Sequence, residues 1–522
     1  MSDNLKHECG IAAVCKLSSQ PGSASGQAFR ACQDGDVVKL MPRMLLNLQN
    51  RGQLAAGLSS YNPQNPQLIK TYKDLGNVSE VFRMGHPAKY QSIMQKYAGT
   101  AAIGHTRYAT CGKDDINYAQ PFERHHGRRW KWFSFAFNGN LANYTQLRDK
   151  LLKKRDYHFT LDSDTEIIMH ELSYRLRGDT EPDLVEVFAK MSESFDGAYN
   201  LAFLDAQGRM VVARDPLGLR PLCYSVQGDI FAAASESVAL RNLGFDDIKC
   251  IEPGTLAIVE DGQLRIERYA KPRSKAHCFF EWIYFSNVAS VMDGAGVYNV
   301  RAKSGKILAA KETVSTDRDT IVVPVPDTAK AAADSFAFNL GVPCMEGLMR
   351  NRYVGRTFIQ SGATRYDAVR SKYIPLESVL AGKRVFLVED SIVRSTTLRV
   401  LVEQIRKIGK AREVHVRVGC PPIVAPCFYG IDMSTLGELF APEFVDENYA
   451  GDPDEATMQK MASELGLDSL RYLSTSDLAT CIGKPVEDLC TGCVMGKYPT
   501  PAGNEMITRA KQQLGAPGRT YQ

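Results

Sequence analysis

The stretch VFLVEDSIVRSTT, residues Val385–Thr397, decides the fold of the second half of this 522-residue chain. A hydrophobic run ends in two acids and passes through a hydroxyl-rich turn into a segment whose apolar residues recur every three or four positions, as far as Ile408. Alternating valines follow at Val414–Val418. Strand, helix and strand of these lengths form a βαβ unit. The sequence therefore predicts an α/β domain with a mainly parallel sheet.

The first half of the chain has a different pattern. Short apolar runs such as Leu201–Leu204 and Met210–Ala213 are separated by turn-forming residues, which is typical of antiparallel hairpins. The polar, proline-containing segment Ala270–Ala276 lies between the two patterns, so we expect a domain junction there. A chain of 522 residues suits two to four domains, at about 150 residues each.

Composition excludes several classes of function. Lysine and arginine total 63 against 59 aspartates and glutamates, and the net charge of +4 is too small to indicate a nucleic-acid partner. No uncharged apolar run reaches about 18 residues, so no membrane span is expected. Residues 1–8 lack the apolar core of a secretory signal. Thirteen cysteines, an odd number without a dense framework, favour a reducing cytoplasm.

Four motifs follow Cys9, which begins the strand-like segment CGIAAV. They are QNRGQLAAG at 49–57, GHTRYAT at 104–110, FNGNLAN at 137–143 and LDSDTE at 161–166. A buried structural thiol is the ordinary interpretation of Cys9 taken alone. The ordered set, however, resembles the glutaminase domain of class II, N-terminal-nucleophile glutamine amidotransferases. The resemblance implies an α+β domain, an αββα sandwich, over residues 9–268.

The resemblance makes Cys9 the candidate nucleophile. The side-chain amide of glutamine is a poor electrophile, so its hydrolysis benefits from a thiolate and a thioester intermediate. A free α-amine has a pKa of about 7.7–8, against about 8.5 for a thiol. If residues 1–8 are a propeptide that is removed, the amine of Cys9 becomes a general base near neutral pH.

The resemblance also implies roles for four further residues. Asn138 and the backbone of Gly139 would form the oxyanion hole. Arg107 would hold the carboxylate of glutamine and Asp164 its α-ammonium group. The alternative for this last pair is an ordinary surface ion pair, which would contribute little.

Departures from the glutaminase family leave the acceptor open. Asn50 and Leu54 replace the usual His and Glu, and the GHTRYAT motif is closer to the hexosamine-forming branch. The cationic, aromatic segment His125–Trp132 is interpreted as a solvated hairpin tip rather than a base-stacking surface. The first half alone therefore does not name the acceptor.

The acceptor is indicated by the Val385–Thr397 stretch, which resembles the 5-phosphoribosyl-1-diphosphate (PRPP) loop of type I phosphoribosyltransferases. Amides and hydroxyls at a helix start can cradle a phosphate. Two acids after a strand are common in α/β proteins, but here PVPDTA at 324–329, NRYVGRTFI at 351–359 and RSKY at 370–373 complete the pattern. Together with CFFEWIYF at 278–285, they resemble the glutamine PRPP amidotransferase family in order.

This resemblance implies a PRPP site and a Mg²⁺ site. The residues implied are Ser395, Thr396 and Thr397 for the 5′-phosphate, Glu389 and Asp390 for the ribose hydroxyls, Asp327 for the pyrophosphate side, and Thr328, Glu389 and Asp390 for Mg²⁺. Three departures bear on activity. Glu389 replaces the usual Asp, the segment SNVAS replaces Arg-Pro-Asp, and Ser395 replaces a glycine. If position 395 needs a positive φ the serine is strained; if not, its hydroxyl is one more phosphate ligand.

Four cysteines match the iron–sulfur form of this family. They are Cys278, Cys427, Cys490 and Cys493. Four thiolates from distant segments suit a [4Fe–4S] cluster. Zinc also accepts four thiolates, so a zinc site and unligated thiols stay as alternatives.

The resemblance implies conversion of PRPP, glutamine and water into 5-phosphoribosylamine, glutamate and diphosphate, with internal transfer of ammonia. The expected organisation is a propeptide at 1–8, a glutaminase domain at 9–268, a transferase domain at 269–440 and a tail at 441–522 that carries two cluster cysteines. Purine nucleotides are implied as feedback inhibitors, and a homotetramer as the assembly. Two alternatives are an amidotransferase with another acceptor and a non-catalytic paralogue that binds PRPP or nucleotides.

Overall fold

The computed structural model describes most of the chain. The described residues are 9–18, 32, 35–108, 115–153, 157–161, 163–351, 370, 372–431, 433, 435–446, 449 and 451–512. The expected propeptide at 1–8 and the NRYVGRTFI motif beyond Asn351 lie outside them.

Two antiparallel sheets are formed by the described residues between 10 and 268. Their strands are β1 (Gly10–Lys16), β2 (Ala55–Tyr61), β3 (Ile69–Leu75), β4 (Ala101–Arg107), β5 (Phe122–Arg124), β6 (Phe133–Leu141), β7 (Gly197–Asp205), β8 (Met210–Arg214), β9 (Cys223–Gln227), β10 (Ile230–Ala234), β11 (Lys249–Cys250), β12 (Thr255–Glu260) and β13 (Gln263–Arg268). One sheet has the order β11-β9-β10-β1-β4-β2-β3, and the other has the order β13-β12-β8-β7-β6-β5.

Helices cover the outer face of each sheet. They are α1 (Met41–Asn47), α2 (Val78–Val81), α3 (Pro87–Lys96), α4 (Tyr144–Leu152), α5 (Asp164–Arg175), α6 (Leu184–Ser192) and α7 (Ser237–Arg241). The alternation of side chains along β1 shows the layering. Ala12 and Val14 pack towards α1, whereas Ile11 and Ala13 belong to the core between the two sheets. The result is the αββα sandwich that the sequence predicts.

The second half is built around a parallel sheet. Its described strands are β14 (His277–Cys278), β15 (Val291–Met292), β16 (Ala295–Gly296), β17 (Thr320–Pro324), β18 (Leu348–Arg350), β19 (Tyr373–Pro375), β20 (Arg384–Glu389), β21 (Glu413–Val418), β22 (Ser469–Tyr472) and β23 (Leu489–Cys490). The main sheet has the order β17-β20-β21-β22, with every neighbouring pair parallel. The expected α/β domain with a mainly parallel sheet is confirmed.

The helices of this half lie beside that sheet and in the C-terminal segment. They are α8 (Val297–Ala310), α9 (Lys330–Leu340), α10 (Glu377–Leu380), α11 (Ser395–Lys407), α12 (Glu455–Leu465), α13 (Thr475–Ile482), α14 (Gly492–Met495) and α15 (Pro501–Gln512). Among the described helices, none combines the length and apolar character needed to cross a membrane. Strand β22 comes from residues beyond 440 and supplies the fourth strand of the main sheet.

The βαβ unit that the sequence predicts consists of β20, α11 and β21. Its apolar stripe is buried at Leu398, Leu401 and Ile405. The stripe was expected to reach Ile408, but that side chain is 42% exposed because the helix ends at Lys407.

A buried ion network joins the two halves. The Arg51 guanidinium, from the loop before β2, donates from Nε to Glu236 at 2.6 Å and from Nη2 to Glu281 at 2.6 Å. Glu236 precedes α7, whereas Glu281 begins a π-helical turn in the second half, Glu281–Phe285. Arg220 lies 3.4 Å from Glu281 on the other side. All four side chains are almost completely buried, so each charge depends on its partners.

Loss of the central cation should destabilise the protein strongly. Arg51→Met leaves two buried carboxylates without their main partner, and we expect a loss of about 3–5 kcal/mol. Thermal unfolding of the full chain measures this as a lower Tm. Arg128→Met is the matched control, because it removes a half-exposed guanidinium paired with Asp179 and should cost less than about 1 kcal/mol. Equal Tm values for the two variants would contradict the prediction.

Candidate active sites and cysteine cavity

Cys9 lies directly before β1, beside the end of β4. The thiol is half-buried, and its Sγ atom lies 3.7 Å from the carbonyl oxygen of Tyr108. Burial raises the pKa of the Cys9 thiol, and the charge of Asp164 acts in the same direction. The guanidinium groups of Arg107 and Arg51 act in the opposite direction. A thiol with a raised pKa needs a base to become a thiolate, which fits the predicted role of the α-amine.

The predicted oxyanion residues lie on β6, across from this cysteine. Asn138 Nδ2 donates to Ser235 Oγ at 3.4 Å, and the same hydroxyl accepts a hydrogen bond from the backbone of Ile11 at 3.0 Å. Gly139 has a φ of +155°, and a Cβ there would lie 1.9 Å from the carbonyl oxygen of Ala198. Only glycine fits this position, because any side chain would collide with the neighbouring strand β7.

Arg107 and Asp164 also reach this site, from β4 and from the start of α5. Arg107 is buried, with its guanidinium 5.4 Å from the ring centre of Tyr118. The carboxylate of Asp164 accepts a hydrogen bond from the backbone of Leu141 at 3.3 Å. Burial raises the pKa of Asp164 to about 6. These surroundings differ from those of a surface ion pair, and both side chains exert their charge on Cys9.

The predicted acid pair lies at the carboxyl end of the parallel sheet. Glu389 ends β20 and Asp390 follows it. Burial raises the pKa of both carboxyls, and for Glu389 the neighbouring Asp390 raises it further. Asp390 is hydrogen-bonded to the Thr328 side chain, and both line a small cavity. Asp327, by contrast, is exposed and pairs with Arg350 at 2.8 Å.

The predicted phosphate loop begins α11. Ser395, Thr396 and Thr397 form the first turn of this helix, after Arg394 in an extended conformation with a φ of −122°. Ser395 is helical and has no positive φ. The strained alternative for Ser395 is therefore excluded, and the first-turn amides and hydroxyls are arranged together.

The four predicted cluster cysteines line one cavity. Cys278 and Cys490 are directly paired across the short parallel strands β14 and β23. Cys427 and Cys493 complete the lining, beside Arg220. Burial raises the pKa of all four thiols, and Arg220 lowers it at three of them, Cys278, Cys427 and Cys490. Among the described residues, no group of three or more His, Cys, Asp or Glu side chains is placed to hold a metal ion.

Sequence reasoning missed the charged residues that connect these sites. Arg51 lies in the QNRGQLAAG motif and Arg220 in the segment RDPLGLRPL at 214–222, but the motifs gave no role to either arginine. Their shared partner Glu281 is 230 residues from Arg51 and 61 residues from Arg220. The only sequence signal was an acid inside the apolar segment CFFEWIYF. An acid that interrupts such a run needs a buried partner.

The fold and the two sites define a class II glutamine amidotransferase joined to a type I phosphoribosyltransferase. Residues 87–253 match a family model described as a glutamine amidotransferase domain. The chain belongs to the amidophosphoribosyltransferase family. It is 36% identical to the amidophosphoribosyltransferase of Methanothermobacter thermautotrophicus, with 96% of each chain covered. It is 38% identical to that of Bacillus subtilis, with 87% of this chain and 90% of the relative covered.

Solved structures agree with this assignment. One is the glutamine PRPP amidotransferase from B. subtilis complexed with ADP and GMP. It is 35% identical to this chain, with a TM-score of 0.78 and coverage of 95% of this chain and 98% of the other. A second, described as the allosteric regulatory enzyme of purine biosynthesis, has a TM-score of 0.79 at 35% identity and covers 95% of this chain and 97% of the other.

The raised pKa of Asp164 predicts an acid limb in glutamine hydrolysis. As the pH falls below about 6 the carboxyl takes up a proton and no longer attracts an ammonium group. We expect kcat/KM for glutamine to fall about tenfold per pH unit below that value, measured between about pH 5 and pH 8. The contribution of Asp164 to the stability of the fold changes with pH in the opposite direction to its contribution to activity. The folded chain binds this proton more tightly than the unfolded chain, so stability from Asp164 is lost as the pH rises through about 6.

Asp164→Asn tests the assignment, because its side chain is neutral at every pH. We expect a lower plateau of kcat/KM without the acid limb. A limb with an unchanged midpoint in this variant would show that another group titrates.

Proposed function

We propose that the protein makes 5-phosphoribosylamine, glutamate and diphosphate from PRPP, glutamine and water, the first step of de novo purine synthesis. The observation that supports this most is the presence of two different sites on one chain. Cys9 with Asn138 and Gly139 on strand β6 is one candidate site, and the acid pair with the start of α11 is the other. Each matches one half-reaction of the family to which the chain belongs.

In the glutaminase half-reaction, the Cys9 thiolate attacks the side-chain amide carbon of glutamine. The developing oxyanion would accept hydrogen bonds from Asn138 and the backbone N–H of Gly139. Arg107 and Asp164 would orient the amino-acid end of the substrate. Collapse of the tetrahedral intermediate breaks the C–N bond and releases ammonia, and water then hydrolyses the thioester to glutamate.

Removal of residues 1–8 is part of this proposal. The thiol is half-buried with a raised pKa, so a base beside it is needed near neutral pH. The α-amine of a mature Cys9 would take the thiol proton and return it to the leaving ammonia. The intact mass of the mature protein reports whether the amine is free.

In the transferase half-reaction, ammonia attacks C1 of the ribose as diphosphate leaves. Ser395, Thr396 and Thr397 would bind the 5′-phosphate at the start of α11. Glu389 and Asp390 would bind the ribose hydroxyls, and Asp327 the pyrophosphate side. Internal transfer of ammonia is proposed because free ammonia is protonated near neutral pH and loses its nucleophilic lone pair.

The acid pair also fits Mg²⁺. The adjacent carboxyls of Asp390, which is buried, and Glu389, which is half-buried, have raised pKa values. When ionised they carry negative charge that a cation would stabilise. Mg²⁺ is usually held by one or two carboxylates together with substrate phosphates and water. Glu389, Asp390 and Thr328 would hold it, and the ion would neutralise charge on the leaving diphosphate.

Replacing the nucleophile should separate the two half-reactions. Cys9→Ala abolishes glutamine-dependent formation of phosphoribosylamine, because no thioester can form. Synthesis with added ammonium salt should stay within about twofold of the unmodified protein, since the transferase site is untouched. Glutamate and diphosphate are measured separately. Equal loss of both activities would contradict two separable sites.

Measuring glutamate and diphosphate also distinguishes the proposed reaction from the two alternative functions. Coupled release of glutamate and diphosphate supports the proposed reaction. Glutamine-dependent amination of a sugar phosphate without PRPP would indicate another acceptor. Binding of PRPP with neither product would indicate a non-catalytic paralogue. The helical, unstrained Ser395 favours a working phosphate loop.

The cysteine cavity contains the four thiols that a [4Fe–4S] cluster requires. All four thiols face one cavity, but their present placement does not suit a metal ion held by three or more of them. A cluster binds each thiolate through a separate iron and so accepts a wider spacing. We propose that Cys278, Cys427, Cys490 and Cys493 hold such a cluster, which would tie the C-terminal segment to the rest of the chain.

Metal analysis tests the cluster directly. Anaerobically purified protein should contain about four iron atoms and four sulfides per chain and absorb visible light. Cys427→Ser should lose iron and colour. Cys344→Ser is the matched control, because Cys344 is also half-buried but lies outside the cavity. Colourless protein without iron would contradict the proposal, and stoichiometric zinc would support the alternative.

Several partner assignments stay predictions. ADP and GMP are bound by the B. subtilis relative, and we propose that purine nucleotides regulate this chain as well. A cytoplasmic setting is proposed from the sequence, whose thirteen cysteines are odd in number and form no dense framework. A homotetramer is proposed from the family resemblance, and sedimentation of the purified protein tests it.

A further inference from the structure

The segment between Cys427 and Gly430, here termed the bridging segment, touches the strand that carries the oxyanion residues. Asn140 Nδ2, on β6, donates a hydrogen bond to the carbonyl oxygen of Phe428 at 3.0 Å. Gly430 packs against the same strand, because a Cβ on it would lie 3.1 Å from the carbonyl oxygen of Gly139. The bridging segment belongs to the second half of the chain, 288 residues from Asn140.

The bridging segment is itself firmly held. The carbonyl oxygen of Tyr429 accepts a hydrogen bond from Arg220, whose guanidinium also pairs with Glu281. The backbone N–H of Tyr429 donates to Cys427 Sγ at 3.3 Å. The Tyr429 hydroxyl lies 2.9 Å from the Thr500 hydroxyl at the start of α15. These contacts fix the segment to the ion network, the cysteine cavity and the C-terminal helix.

The part of β6 that contacts the bridging segment is paired with another described strand on one edge only. Strand β7 pairs with β6 along its whole length, from Phe133 to Leu141. On the opposite edge, β5 pairs only with Phe133–Phe135. Among the described strands, Gly139 therefore has one β-sheet neighbour. Gly139 also has a backbone conformation with φ of +155°, and glycine resists deformation less than other residues.

An oxyanion hole works because its donors are fixed before the charge develops. A glycine with a neighbouring strand on one side only needs a further contact to hold its backbone in place. We propose that the bridging segment positions the oxyanion strand, with Asn140 and Gly430 as positioning residues for the glutaminase reaction. This inference rests on the proposed oxyanion role of Asn138 and Gly139. It gives the second half of the chain a role in positioning the residues that act together with Cys9.

The test compares two contacts of the same kind. Asn140→Ala removes the hydrogen bond to Phe428. Gln146→Ala removes an exposed hydrogen bond to Glu505, which also links the first half to the C-terminal segment but lies away from β6. We expect Asn140→Ala to lower kcat for glutamine hydrolysis about tenfold, with KM for glutamine and ammonia-dependent synthesis within about twofold. Gln146→Ala should leave all three values unchanged.

Gly430→Ala provides a second, independent variant. Its Cβ would press on Gly139 and Arg220 at a φ of +99°, so the same selective fall in kcat is expected. Gly437→Ala is its control, because a Cβ there meets nothing within 4 Å. Alkylation of Cys9 by iodoacetamide should proceed at an unchanged rate in all four variants, since the thiol itself is not moved.

Three results separate the inference from the function on which it rests. Absence of glutamine hydrolysis in the unmodified protein would overturn the proposed function. Hydrolysis in the unmodified protein with unchanged kcat in both Asn140→Ala and Gly430→Ala would overturn the positioning role alone. Proportional loss of ammonia-dependent synthesis in these variants would also overturn it, because the effect would then be general destabilisation.

Discussion

The ion network around Arg51 is the interaction on which the arrangement of the two halves depends. A buried guanidinium is costly without anionic partners, and Arg51 finds one, Glu236, in its own half and the other, Glu281, across the junction. If the halves separated, Glu281 would lose both of its arginine partners, and Arg51 would keep only Glu236. The network therefore ties the stability of each half to the presence of the other.

The same charges connect three sites that are distant in sequence. Arg51 influences the thiol of Cys9, while Arg220 lines the cysteine cavity and holds the backbone of Tyr429. Glu281 lies between the two arginines. Glu281 therefore links an arginine that acts on the Cys9 thiol to an arginine that lines the cysteine cavity.

The sequence predicted features that depend on local interactions, but it did not predict those that depend on residues far apart in the chain. The βαβ unit and the hairpins were predictable because their signal lies in local periodicity. The motifs also indicated Cys9, Asn138 and Asp390, whose roles stay predictions. The network around Arg51 was not predictable, because its partners lie up to 230 residues apart and no local pattern encodes their meeting. Strand β22 was missed for the same reason, since its four residues carry a strand signal only when placed beside β21.

The position of β23 has a consequence for synthesis of the chain on the ribosome. Both antiparallel sheets consist of strands that end by residue 268, so these strands can pair while the rest of the chain is still being made. Strand β14 finds its partner only when Leu489 and Cys490 have emerged. The cavity that contains Cys278 is thus among the last parts of the molecule to be completed. The lining of the cavity is therefore complete only in chains that extend as far as Tyr498.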